Sequence, residues 1–217
     1  MRDLRKNRNK QSKLKNVILN NIYSNLRYYI IVMTILIIGI ACGVIFINNI
    51  NEEQKIEISK YINDFVASLK NNCKIDNTKL LEISLIENFK LALGMWFIGS
   101  TVVGLPIGFG IVLYRGFCIG YTVASAIAIL GAQKGIIFAL SSILLQNIII
   151  IPVLLVLSVS GIKLYKSIMK DKRRENIKLE VIRHTVVSII GLIFLILASI
   201  VEVYISSGLL TMSLRFL

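Results

Sequence analysis

The sequence predicts an all-α, polytopic integral membrane protein of about five transmembrane helices, with an extracytoplasmic amphipathic helical loop. Three observations lead there. Of the 217 residues, 55% are hydrophobic and only 17% are charged, against about 25% charged in a soluble domain. The charges are gathered into blocks separated by long uncharged apolar runs, the pattern of membrane spans. Mean hydropathy is +0.74.

The net charge of +13 could suit a nucleic-acid partner. The basic blocks, however, sit directly beside apolar runs, as positive cytoplasmic flanks do, so the expected partner is the lipid bilayer and not nucleic acid. Residues 1–27 form a basic cytoplasmic N-terminal segment, and Val17, Ile18, Ile22 and Leu26 recur in it at helical spacing. That pattern suits a helix lying on an anionic leaflet, or a solvated tail. The first apolar run begins near Tyr28 and is about 20 residues long, enough to span and to remain as a signal anchor.

Residues 28–217 read as a single multi-span domain. Spans are expected at about 28–47, 91–114, 116–130, 136–162 and 184–201, with an outer loop at 50–87 and a cytoplasmic basic loop at 163–183. Gly39 and Gly43 in the first span, Gly104 and Gly108 in the second, and Gly116 and Gly120 in the third share GxxxG spacing, which lets helix backbones approach closely. They are candidates for helix packing or partner docking, together with Trp96, Gly99 and Pro106. Pro106 is expected to kink its span. Arg115 marks a turn, and residues 116–135 could instead form a re-entrant pair.

In the outer loop, Ile58, Tyr61, Ile62, Phe65, Val66 and Leu69 fall on one helical face. That face must be buried against the membrane surface, the protein's own spans or a partner. Gln146 and Asn147 are amides deep in a span, costly there unless bonded to a neighbour. They suit inter-helix bonding or a polar path. Glu202, near the outer membrane edge, could snorkel or pair with Lys90. His184, the single histidine, reads as an interfacial polar residue. One His supports neither a catalytic triad nor a zinc site, and three scattered cysteines give no disulfide framework. No catalytic residues, metal ligands or cofactors are expected. Counting Lys and Arg by side, an N-terminus in the cytoplasm and a C-terminus outside put 17 of the 25 within.

The segment from Asn88 to Gly120 contains Asn88, Ala92, Trp96, Gly99, Gly104, Pro106, Arg115, Gly116, Phe117 and Gly120 in order. Gln146-Asn147 with Ile151-Pro152 follows, and the chain nears its end on Ala198-Ser199, Glu202 and Tyr204. This series resembles the stage II sporulation protein M family, whose members often carry proline where Leu145 stands. The resemblance implies a non-enzymatic scaffold in the cell membrane at the sporulation septum, on the mother-cell side. It would recruit and position the septal cell-wall hydrolases, stage II sporulation proteins P and D. Together they would degrade peptidoglycan and let the membrane migrate as the forespore is engulfed. A transporter or permease subunit is the alternative, with its polar site at the Gly/Pro-rich second span and at Gln146 and Asn147.

Overall fold

The computed structural model describes residues 23–70, 77–101, 104–141, 145–170 and 175–206. The expected surface helix before residue 23 lies outside these. The described residues form seven α-helices: α1 (Leu26–Asn48), α2 (Glu52–Lys70), α3 (Asn77–Gly99), α4 (Gly104–Leu130), α5 (Ala132–Ala139), α6 (Leu145–Lys170) and α7 (Glu175–Val201). A π-helical turn, Glu202–Ser206, prolongs α7.

Among the described residues, four stretches are long and apolar enough to cross a membrane: Leu26–Asn48, Gly104–Leu130, Gln146–Met169 and Ile177–Ile205. The 23 residues of α1 extend about 34 Å, just over the hydrocarbon thickness. The charges of α3 (Lys79, Glu82, Glu87 and Lys90) keep it out of this group. It nevertheless lies antiparallel along α7, with Ser84 at Glu202, Asn88 at Ser199 and Trp96 at Thr185. It therefore takes the fifth place in the bundle.

Contacts fix the helix directions. α1 and α4 run parallel, since Gly39 meets Leu113 and Gly43 meets Phe117 and Tyr121. α6 runs against α7, with Ser160 at His184 and Gln146 at Glu202. The core gathers around α6, where Ile150, Leu154 and Leu157 meet Val32, Leu36, Met95, Val112 and Leu195. Outside it, Ile30, Ile37 and Ile45 of α1 and Ile189, Ile193 and Phe194 of α7 are exposed. An apolar exterior of that extent suits lipid rather than water.

The breaks between helices differ from the expected ones. No turn occurs at Arg115, because α4 runs unbroken from Gly104 to Leu130. Expected spans 91–114 and 116–130 are thus recut. The chain turns instead between Gly99 and Gly104, where the hydroxyls of Ser100 and Thr101 donate to the carbonyls of Trp96 and Ile98 at 2.8 and 3.0 Å. These bonds satisfy carbonyls that a helix end leaves open. Gly104 closes the turn against the Ile98 carbonyl, where a Cβ would collide. Pro106 consequently falls in the first turn of α4, where its missing N–H costs nothing, and the expected kink is not needed.

The long run expected at 136–162 is also recut. Gly131, with φ of 83°, separates α4 from the short α5, which folds back so that Gly135 abuts the backbone of Ala126 and Ile127. The spanning helix α6 starts at Leu145 and continues to Lys170, and α7 begins at Glu175, not at His184. Most of the basic loop expected at 163–183 is therefore helix.

Candidate functional site

Four clusters gather the residues that the sequence singles out. The first is the α1–α4 interface. Gly39 and Gly43 face Gly116 and Gly120, and a Cβ on any of them would strike backbone of the facing helix. Beside these glycines Phe46 packs edge-on to Phe117, with centroids 5.6 Å apart, and reaches Tyr121. Gly104 and Gly108 have the same spacing but no such partner. Gly104 serves the turn, and a Cβ on Gly108 would touch only an Ile98 methyl at 3.9 Å.

The second cluster lies where α3, α6 and α7 cross. His184 is buried there. Its Nδ1 is 3.0 Å from the Ser160 hydroxyl and its Nε2 is 3.3 Å from the Trp96 carbonyl. A neutral ring with its proton on Nε2 satisfies both, accepting from Ser160 and donating to Trp96. Gly99 and Gly161 make room for the ring: a Cβ on Gly99 would lie 2.6 Å from Nε2. The Trp96 indole N–H donates to the Thr185 hydroxyl at 3.1 Å. His184 is therefore a three-helix junction, not an interfacial residue. Replacing it with leucine removes the acceptor of a buried Ser160 and should cost about 1–2 kcal/mol. A lowered thermal unfolding midpoint of the detergent-purified protein is the expected readout. Gly99→Ala should lower it as well.

The third cluster is at the opposite end of the bundle. The Glu202 carboxylate accepts from the Ser84 hydroxyl. The Gln146 amide, turned so that its NH2 faces the acid, donates at 2.6 and 3.0 Å. One turn deeper, the Asn88 amide donates to the Ser199 hydroxyl at 2.8 Å and to the Leu195 carbonyl at 3.3 Å. Asn147 is buried nearby in sequence. Lys90 is exposed and is not the Glu202 partner: it sits about 200° round the helix from Asn88. Arg115 and Glu87 lie within electrostatic reach of Glu202. Among the described residues the Arg115 Nε is buried without a hydrogen-bond partner.

The fourth cluster is α2. Ile62 and Val66 are buried against Ala126 and Phe138, with Ile58 beside them. Phe65 meets Phe138 edge-on at 6.2 Å. The centre of the apolar face, Ile62 and Val66, is thus covered by the end of α4 and by the short α5, while Phe65 stays 41% exposed. Tyr61 and Ile56 stay 75% and 67% exposed. The Leu69 side chain lies outside the described residues.

Sequence spacing carried no signal for Ser84, Ser160 or Thr185, since each acts through a distant partner. Among the described residues, no three His, Cys, Asp or Glu side chains gather as metal ligands. Asn88, Ala92, Trp96 and Gly99 lie along one stripe of α3 and meet α6 and α7, which gives that series a packing reason.

The family model described as stage II sporulation protein M matches residues 31–207. Comparison with curated proteins and with solved structures gives no match.

Proposed function

The chain belongs to the stage II sporulation protein M family, and on that premise we propose that it is a membrane scaffold for cell-wall hydrolases. Membership makes it a sporulation membrane protein related to engulfment, from a family that is generally non-catalytic. The finer reading is that it recruits and positions stage II sporulation proteins P and D at the septum. Peptidoglycan is then degraded and the membrane can migrate around the forespore. The observation that carries this is the match over 31–207, which takes in nearly all of the described bundle.

The orientation this reading requires has the N-terminus in the cytoplasm and the C-terminus outside. Parallel α1, α4 and α7 then run outward, and α3 and α6 run inward. The excess of Lys and Arg at the inner ends supports that sense. α2, with its exposed Ile56 and Tyr61, then faces the wall at the end where partners would bind.

The transporter alternative has less support. The space lined by Met95, Gly99, Gly108, Phe109, Leu157 and Gly161 holds about 20 Å³, roughly room for one water. The Gln146 amide is engaged by Glu202. A tagged chain purified from sporulating cells should recover the amidase-type hydrolase, and a deletion strain should retain thick septal peptidoglycan. Recovery of no hydrolase together with normal septal thinning would sink the proposal.

A further inference from the structure

At the end of the bundle away from Glu202, Tyr28 of α1, Lys163 and Lys166 of α6, and Leu179, Glu180 and Arg183 of α7 line an open cavity of about 370 Å³. Three cations face one carboxylate. Glu180 is committed to Arg183, whose guanidinium donates to it at 2.8 Å. That bond uses one edge of a group with five donors. Lys166 is held by an aromatic residue: it donates to the Tyr28 hydroxyl and sits 4.6 Å from the ring centroid. Such a contact positions a cation without neutralising it. Among the described residues the cavity therefore keeps a net positive charge.

Of its lining, Leu179 is apolar and Asn25 and Ser167 are polar, and Leu26, Met169 and Ile182 lie within two residues of lining residues. Leu26 of α1, Met169 of α6, and Leu179 and Ile182 of α7 are 46%, 62%, 60% and 65% exposed. Lys166 lies five residues beyond Gly161, about 7.5 Å along the helix, and so one and a half turns outside the His184 layer. A cationic cavity at a span end with an apolar rim matches an amphiphile that carries an anionic head. A free anion would have no use for the rim.

We propose that this cavity binds the phosphate of an anionic phospholipid, whose acyl chains lie on the exposed apolar side chains of α1 and α7. Lys166 and Arg183 hold the phosphate, and Tyr28 keeps Lys166 in place. A basic pocket between spans is an established kind of headgroup site. Bound there, the lipid would tie α1 to the α6–α7 pair. The inference does not depend on the scaffold reading.

The test uses the full chain, delipidated in detergent and titrated with phosphatidylglycerol or phosphatidylcholine, with bound lipid counted by native mass spectrometry. Phosphatidylglycerol should bind more tightly than phosphatidylcholine. The double variant Lys166→Gln/Arg183→Gln should weaken it by about thirtyfold, roughly fivefold per cation. Lys55→Gln/Lys60→Gln, which removes two cations from α2, should leave it unchanged. If the first double variant does not fold, Lys166→Gln alone, at an exposed side chain, should still show the roughly fivefold loss. Millimolar inorganic phosphate should not displace the lipid. Equal binding of the two lipids, unaltered binding by the variants, or displacement by inorganic phosphate would overturn the proposal, the last by marking a free-anion site.

Discussion

Replacing Gly43 with leucine is expected to part α1 from α4 and to leave little folded protein. A side chain at Gly43 would enter the backbone of Phe117, Gly120 and Tyr121. Backbone in a regular helix cannot turn aside as a flexible side-chain tip can. Overpacking a close-packed site costs about 1–3 kcal/mol where side chains can adjust, so the upper end is the minimum here. A fall of about 10 °C in unfolding midpoint is expected, with loss of the monodisperse peak in detergent chromatography. Gly39→Leu and Gly120→Leu should do the same. Gly94→Ala and Gly110→Ala should be near neutral, since a Cβ there meets nothing within 4 Å. If Gly43→Leu unfolds at the wild-type temperature, the α1–α4 packing described above is wrong.

Glu202→Ala is the second large effect. The carboxylate accepts from both Ser84 and Gln146, and its removal strips the buried Ser84 and the half-buried Gln146 of their acceptor. Hydrogen bonds between membrane helices average below 1 kcal/mol, but leaving a buried donor unmet adds its desolvation cost. A loss of about 2 kcal/mol follows. Glu202→Gln should be milder, since an amide keeps one acceptor oxygen. Glu202→Lys should be worst, because it sets a second cation within electrostatic reach of Arg115. Gln146→Ala combined with Glu202→Ala should cost about 1 kcal/mol less than the two single losses together, the mark of a direct contact. Strict additivity would contradict the pairing.

These effects separate what could be read from the sequence from what could not. The all-α membrane class followed from uncharged runs, because a bilayer allows no other use of them. Gly39, Gly43, Gly116 and Gly120 were visible as small residues at helical spacing, but Gly104 and Gly108 share that spacing, and there Gly104 closes a turn while Gly108 meets only an Ile98 methyl. Spacing names a groove without naming what enters it. The stripe Ile58, Tyr61, Ile62, Phe65, Val66 and Leu69 was equally plain, yet only the folded chain brings Ala126 and Phe138 beneath it. Arg115 misled because one charge in an apolar run resembles a turn. The real break was marked by Ser100 and Thr101, hydroxyls that close a helix end, followed by Gly104 and Pro106. Glu202 was matched to the helix that it meets, α3, but given the wrong face of it, with Lys90 in place of Ser84. His184 illustrates the general obstacle: its partners lie 24 and 88 residues away, beyond the reach of any local pattern.

The central claim is that the end of the bundle carrying α2 faces the wall, where hydrolases work. Cysteine labelling in intact cells tests it most directly. Cys42, Cys73 and Cys118 are first replaced, and single cysteines are then introduced as Lys60→Cys, Lys134→Cys and Lys178→Cys. A membrane-impermeant maleimide should label the first two from outside. The third, at the opposite end of the bundle, should react only after the membrane is permeabilised. Labelling of Lys178→Cys in intact cells, with Lys60→Cys and Lys134→Cys protected, would place α2 in the cytoplasm and contradict the scaffold account.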